Sequence, residues 1–337
     1  MILSDLIYGN FRVDEPIVGE LLESKAMRRL AGIGMLATKF PCTEFSDNTS
    51  RLEHSIGVFL LLRRFGAPIE EQIAGLVHDA SHSAFSHLVD YVVYGDENAA
   101  ALGEYGDTIR ARYAEKSGIS RILEKHGFDP AYIMDDRNFT LKELPLPDIC
   151  ADRLDYTMRE LMPGRNFAGW ATPEELRAFA DSLTVADGRF AFKTMAAARR
   201  FAHLYSHMDR TLWAAYAPAK LYHVFARTIK SAINKGILKF DDLYEYGDEE
   251  IIARLRGAKD GELDELFRIL DLTPREFLKH PCAAGDKYMA KLRRADPLFM
   301  DDGRTRRYSE RDERYAASLA SLPKITEIQP PFHGKIH

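Results

Sequence analysis

Cysteine is scarce. Cys42, Cys150 and Cys282 are the whole complement of 337 residues, scattered and without CxxC spacing. That pattern excludes a disulfide framework and a zinc knuckle, and predicts reduced thiols in a cytoplasmic protein. Long apolar runs are missing too: Val58-Phe-Leu-Leu-Leu62 is far too short to span a bilayer. The stretch Met1–Tyr8 has no basic region ahead of apolar residues, so neither a secretion signal nor a membrane partner is expected. Charge of one sign is not in excess. The 46 basic and 51 acidic residues leave a net charge of −5, which disfavours nucleic acid as a partner. No GxxxxGK(S/T) loop and no GxGxxG strand–turn–helix occurs, which argues against an ATPase or a dinucleotide enzyme. With 46% hydrophobic and 29% charged residues the chain is an ordinary globular one, long enough for a large domain with an appended lobe.

What is present is helical punctuation. Between residues 16 and 36 apolar groups recur at three- and four-residue spacings, predicting a helix. Asp47-Asn-Thr-Ser50 reads as a loop ending in an N-cap, followed by a helix from about Leu52 to Arg64 that Gly66-Ala-Pro68 stops. Further helices are predicted over 69–80, 104–126, 141–162, 194–216 and 218–236. A hairpin is expected at 183–192, where the pattern alternates around Asp187-Gly188. Beyond Phe240 the chain turns to short charged helices, and Pro297, Pro323, Pro330 and Pro331 mark a looser, partly extended tail. The fold class is mainly α with a small β element. A core at 1–235 and a helical lobe and tail at 236–337, packed on that core, are the expected units.

Four polar residues stand out in apolar, helix-forming sequence, where an unpaired polar group is costly. His54 lies in Arg51-Leu-Glu-His-Ser-Ile-Gly57, His78 and Asp79 are adjacent, and His82 follows. The 24 residues from His54 to His78 make about one helix–turn–helix, which lets them meet. Asp152, in Cys150-Ala-Asp-Arg-Leu-Asp-Tyr156, is the acidic candidate from a later helix, with Asp148 and Asp155 as rivals. Two imidazoles and two carboxylates suit a divalent ion such as Mn, Fe, Ni, Zn or Mg. Such an ion polarises a phosphoryl oxygen and acidifies water. His82, four residues after His78, would share its helical face and could bond phosphate or protonate a leaving oxygen. Arg51 and Arg153 adjoin ligand candidates, and guanidinium suits phosphoryl oxygens; an ion pair to Asp79 or Asp155 is the competing role. His87 could equally cap a loop, and Tyr156 could bond phosphate or only pack.

Three stretches together carry a resemblance: Arg51-Leu-Glu-His-Ser-Ile-Gly-Val58, Ala74-Gly-Leu-Val-His-Asp-Ala-Ser-His-Ser-Ala-Phe-Ser-His87, and Asp152-Arg-Leu-Asp-Tyr156. They resemble the HD-domain phosphohydrolases, and within them the branch of the deoxynucleoside triphosphate triphosphohydrolases. Leu6-Ile-Tyr-Gly9, Met27-Arg-Arg-Leu30 and the 239–250 segment are similar as well, so the likeness covers roughly residues 5–255. It implies a helical HD fold with His54, His78, Asp79 and Asp152 as metal ligands. It also implies that Arg51, His82, His87, Arg153 and Tyr156 face substrate phosphates.

The chain departs from that branch in its substrate reader. No His-Glu pair follows the Phe-Ser-His segment; Asp107 and Glu104 are the possible replacements. Met35 stands where a glutamine would approach the sugar, and Ala31 where nucleotide-activated members carry an arginine. The helix around 210–220 keeps Lys220 as a substrate contact but has Trp213, Ala214, Ala215 and Ala217 in place of polar groups. The expected function is a metal-dependent phosphohydrolase acting on a nucleotide or related small phosphate ester, a (deoxy)nucleoside triphosphate triphosphohydrolase being the family-based choice. A nucleotide monophosphatase, a phosphodiesterase or a nucleotide-binding regulator are the alternatives, and a homo-oligomer is the expected assembly. Arg199-Arg200, Arg293-Arg294 and Arg304–Arg307 read as solvated surface. The aromatics from Phe201 to Phe225 read as core or a dimer face, with base stacking open for Trp213 or Tyr216. His203, His207 and His223 would make a second metal site only if they converged.

Overall fold

The computed structural model describes residues 1–36, 40–43, 49–99, 104–162, 170–281 and 288–328; Asp47, Asn48, Cys282, Pro330 and Pro331 lie outside that set. Helices dominate it. The Arg51–Arg64 helix starts where the Ser50 hydroxyl accepts the Glu53 amide at 3.1 Å, and it gives way to Gly66 at φ +69°. The Ile69–Val77 helix begins after Pro68 with Glu70 and Glu71 in its first turn, where carboxylates suit the helix dipole. These two helices pack on each other, the first also packs on the Ala151–Glu160 helix, and most of their side chains are buried.

Several long helices expected from periodicity are broken. Residues 16–32 form Pro16–Glu23, Lys25–Arg29 and a 3-10 turn at Leu30–Gly32, because the Ser24 side chain caps a new helix at the Met27 amide. The 104–126 stretch divides at Gly118, left-handed at φ +86°. Of the 141–162 stretch only Ala151–Glu160 is helical. Pro145 and Pro147 interrupt the pattern before it, and Glu71 accepts the Leu141 and Lys142 amides at 2.7 and 2.8 Å. The later pair is close to expectation: Met195–Met208 continues as a π turn to Trp213, and Tyr216–Asn234 follows.

The hairpin forms where it was expected. Leu183–Ala186 pairs with Arg189–Phe192 across Asp187-Gly188, both at positive φ. Two things about the sheets differ from expectation. The Arg189–Phe192 strand also takes a parallel partner, Leu298–Asp301, which pairs in turn with Arg304–Arg307, so the hairpin is half of a four-stranded sheet. An N-terminal hairpin, Ile2–Asp5 with Gly9–Arg12, was not anticipated. The chain after 236 is thus part helix and part strand.

Two large apolar cores result. The first gathers Leu3 to Ala80, the 114–208 elements and, from far along the chain, Ala295, Phe299, Tyr308 and Tyr315. The second is built on Leu221–Phe277 together with Phe40, Cys42, Ala84, Phe85 and Leu88. The 78–88 segment runs between them. Among the described residues no helix is long and apolar enough to cross a membrane.

Candidate metal centre

Three helix ends meet beside that segment. His54 lies one turn into the Arg51–Arg64 helix, His78 caps the end of Ile69–Val77, and Asp152 stands in the first turn of Ala151–Glu160. His54 Nε2 is 2.9 Å from Asp152 Oδ1 and 3.2 Å from His78 Nε2; His78 Nε2 is 3.4 Å from Asp152 Oδ1. Asp79 lies alongside, its Oδ1 3.3 Å from His78 Nε2 and its Oδ2 3.8 Å from His54 Nε2. The rivals lie elsewhere: Asp148 pairs with Arg307 at 2.6 Å, and Asp155 sits behind His54.

The far side of each imidazole decides which nitrogen faces the cluster. His54 Nδ1 is 2.7 Å from Asp155 Oδ2, and His78 Nδ1 is 2.7 Å from the Gly75 carbonyl. Both partners are acceptors, which assigns the protons to Nδ1 and turns both Nε2 lone pairs inward. Lone pairs and carboxylate oxygens crowded together repel unless a cation sits among them, so this donor set fits a divalent ion with mixed N/O preference. The local field agrees. Burial opposes charge on His54, yet Asp152 and Asp155 outweigh it and raise its pKa to about 10, so an ion binding its Nε2 would displace a proton from it. Burial likewise opposes ionisation of Asp152, but His54 and His78 hold it well below the usual carboxylate range.

Behind His54 runs a buried ionic chain that the sequence reading missed. Asp155 Oδ2 accepts Arg159 Nε at 2.7 Å, and Arg159 Nη2 reaches Asp5 of the N-terminal hairpin at 2.6 Å and, through Nη1, Glu53 at 3.3 Å. The i, i+4 spacing of Asp155 and Arg159 was the available signal. Gly57 makes room for it: a Cβ there would lie 1.9 Å from Arg159 Nη2 and 2.1 Å from Asp155 Oδ1.

The HD-domain family model matches residues 51–160, the stretch holding all four candidate ligands. The chain is 35% identical over 305 residues to the uncharacterized protein YdhJ of Bacillus subtilis, covering 90% of each. It is 31% identical over 303 residues to the metal-dependent phosphohydrolase cns2 of Cordyceps militaris, covering 88% of this chain and 84% of that one. The chain belongs to the HD-domain metal-dependent phosphohydrolases. It is an enzyme of that class with a divalent metal cofactor. The fold is shared with a phosphohydrolase from Bacteroides thetaiotaomicron at TM-score 0.64 and 16% identity, covering 98% of this chain and 99% of that one. A hypothetical protein from Aquifex aeolicus superposes at TM-score 0.68 with 18% identity, over 97% and 94%. A Dictyostelium discoideum protein named deoxynucleoside triphosphate triphosphohydrolase SAMHD1 homolog is 29% identical over 158 residues, 41% of this chain and 28% of that one.

Around the metal cluster of this HD phosphohydrolase the other expected residues fare differently. His82 is not on a helical continuation; turns follow Val77, and its amide bonds the Asp79 carbonyl at 3.0 Å. Its Nε2 still reaches Asp79 Oδ1 at 3.2 Å, and burial, with Arg51 nearby, lowers its pKa to about 4. His87 stacks edge-on to His82 at 5.3 Å, with Nδ1 3.6 Å from Asp90 and 3.8 Å from Glu104. Burial would lower its pKa, but Glu104 and Asp90 raise it. Glu104 therefore stands by the histidines, whereas Asp107 is half exposed and paired with Arg110; burial and Glu104 push Asp107 up to about 6.

Three of the expected phosphate-binding cations are occupied by protein groups. Arg51 donates to Asp79 Oδ2 at 2.7 Å and Ser86 Oγ at 2.8 Å, and its Nη2 lies 3.3 Å from His87 Nε2. Arg153 turns to the carbonyls of Leu144 and Asp148 at 3.0 and 2.7 Å. Lys220 is buried on the carbonyls of Phe277 and His280, each 2.7 Å away. Met35 is buried, its amide on the Thr49 carbonyl at 2.8 Å. Tyr156 faces His54 at 6.4 Å between ring centres, meets Trp213 at 5.4 Å, and shares a 2.9 Å hydrogen bond with Tyr205. Trp213 Nε1 donates to Glu160 at 2.9 Å, another group the sequence reading missed. His203, His207 and His223 contact Tyr308, Trp170 and Tyr288 respectively, three separate places.

Proposed function

We propose that this phosphohydrolase acts on a nucleotide, cleaving a phosphate ester or anhydride at a centre held by His54, His78, Asp79 and Asp152. The observation that carries the proposal is the aromatic wall beside the ligands: Tyr156, Tyr205 and Trp213 lie in mutual ring contact, and Tyr156 faces His54. Flat rings next to a phosphoryl-binding centre suit a substrate that joins phosphate to a planar base. When bound, the divalent ion supplies Lewis-acid polarisation of a phosphoryl oxygen and acidification of water.

The chain's own groups supply the rest. Asp155 and the Gly75 carbonyl hold the two imidazoles in the ligating tautomer. Arg51 orients Asp79 and balances its charge. His82 is kept neutral by burial at working pH and so offers one N–H and one lone pair at Asp79. His87, raised by Glu104, is the group suited to give a proton to the leaving oxygen.

The relative named as a deoxynucleoside triphosphate triphosphohydrolase supports a triphosphate substrate. A monophosphatase or phosphodiesterase is the second reading, favoured by the engagement of Arg153 and Lys220 with backbone carbonyls, which leaves fewer cations for a triphosphate. A panel decides: protein with Mn, Mg, Ni or Fe, given nucleoside tri-, di- and monophosphates and an aryl phosphodiester. Triphosphate plus nucleoside is the expected product pair; orthophosphate or a split diester supports the second reading. Turnover of the aryl ester alone would remove the nucleotide from the proposal.

A further inference from the structure

Beyond the ligands, the segment after 288 packs against the turn that follows the helix carrying Tyr205. Three contacts fix its path: the Leu292 amide on the Lys324 carbonyl at 2.9 Å, Arg294 Nη1 on Asp209 Oδ2 at 2.7 Å, and the Asp296 amide on the Pro147 carbonyl at 2.8 Å. Asp209 is fully buried and lies one helical turn past Tyr205, whose hydroxyl meets that of Tyr156. Arg293 is therefore anchored next to the aromatic wall. Its backbone N–H bonds Asp209, and its guanidinium donates to the Lys291 carbonyl at 3.2 Å, with no side-chain ion pair to a carboxylate among the described residues. Its charge lies within electrostatic reach of Tyr205, Tyr156, Asp209 and of Glu104, which stands beside His87.

We propose that Arg293 forms a second anion subsite, taking phosphate oxygens of the substrate that the metal does not hold. The proposal rests on the phosphate substrate proposed above and extends it to the C-terminal part of the chain. Arg51, Arg153 and Lys220 already bond Asp79 or backbone carbonyls. The half-buried Arg293 guanidinium, in no carboxylate ion pair among the described residues, is a donor able to grip a phosphate in fork geometry. Arg294, its neighbour, plays a different part: it ties the segment to Asp209 and is not a substrate contact.

The test uses the full-length, metal-loaded protein and inorganic tripolyphosphate as probe, with binding read by calorimetry. Arg293→Ala is expected to weaken binding tenfold or more, and Arg293→Lys to restore part of the loss. Arg304→Ala, which removes an exposed arginine, is expected to leave the dissociation constant within twofold of wild type. Arg293→Gln, closer in shape, repeats the test should the alanine variant fold poorly, and metal content is measured in each. Binding by Arg293→Ala or Arg293→Gln within twofold of wild type overturns the proposal, as does a wild-type protein that does not bind tripolyphosphate. No nucleotide enters this experiment. A failed nucleotide panel with a positive Arg293 effect removes the nucleotide and keeps the subsite; the reverse pair of results removes the subsite alone.

Discussion

At the scale of single residues the proposed centre is expected to depend on groups outside its ligand set. Asp155 fixes the His54 tautomer from behind at 2.7 Å. Asp155→Asn keeps a hydrogen-bond acceptor there but loses the negative charge, so metal affinity is expected to fall by about 10–100-fold. Competition with a chromophoric chelator measures this; an unchanged affinity would show that the carboxylate does not tune the ligand. Glu160 offers a test through pH. Burial pushes it up to about 7, against the Trp213 hydrogen bond, which lowers it. A carboxyl raised in the folded state stabilises the fold fully below its unfolded value, 4.5, and loses that contribution as pH rises through about 7. Glu160→Gln keeps an acceptor for Trp213 and cannot ionise. Its stability relative to wild type should therefore rise by on the order of 1–3 kcal/mol between about pH 5 and about pH 8. Urea midpoints at the two pH values check it, and a constant difference between the proteins would refute the assignment.

Among elements, the decisive one is the 83–87 turn that carries His87. Phe85 and Ser86 both have positive φ, at 62° and 54°, a conformation costing on the order of 1–3 kcal/mol for each non-glycine residue. Asp248, at the start of a distant helix, holds it: Oδ1 accepts the Phe85 amide at 2.7 Å and Oδ2 the Gly34 amide at 2.9 Å. Ser86 completes the clamp by donating to the Gly34 carbonyl at 2.5 Å while accepting from Arg51. Asp248→Ala should release the turn, lowering kcat by tenfold or more while metal content stays at the wild-type level, because no ligand is altered. Wild-type kcat in that variant would show that the turn holds its shape without the clamp. The contact between the Arg51–Arg64 and Ala151–Glu160 helices is similarly exacting at Gly57, where a methyl group would overlap Asp155 and Arg159. Gly57→Ala should cost about 3 kcal/mol or more in a denaturant titration; a change under about 1 kcal/mol would mean the ionic chain can shift aside.

For the whole molecule, an ion held at the proposed ligands would join three helices and so should act as part of the fold. Bound at about a hundred times its dissociation constant, an ion adds roughly 2.7 kcal/mol. At this chain length that is a rise in Tm of about 4 °C. Scanning calorimetry with Mn added and with a chelator present should show the difference, and it should vanish in His78→Ala. Equal Tm with and without metal would show that the folded chain does not bind the ion there. The two ends of the chain share in this: Asp5 of the first hairpin braces Arg159, and the strand at Leu298–Asp301 completes the sheet begun by the central hairpin.

What the sequence determined by itself was local. The Ser50 cap, the stop at Gly66 and the Asp187-Gly188 hairpin follow from residue types at short spacings, whereas the set His54, His78, Asp79 and Asp152 is what the family resemblance implied, and the structure places His54 beside Asp152 and His78 beside Asp79. Capping and turn chemistry act over a few residues, so their signals survive in the bare order of the chain. Tertiary structure decided what each remaining polar group would bond. Arg51 went to Asp79, Arg153 and Lys220 to backbone carbonyls, and Arg294, which reads as solvated surface, to the buried Asp209. Ala191 pairs with Leu298 and Asp5 with Arg159 across long stretches of chain. Pairings of that kind form only after loops have closed and apolar faces have packed, and a buried donor then takes whichever acceptor the packing brings to it.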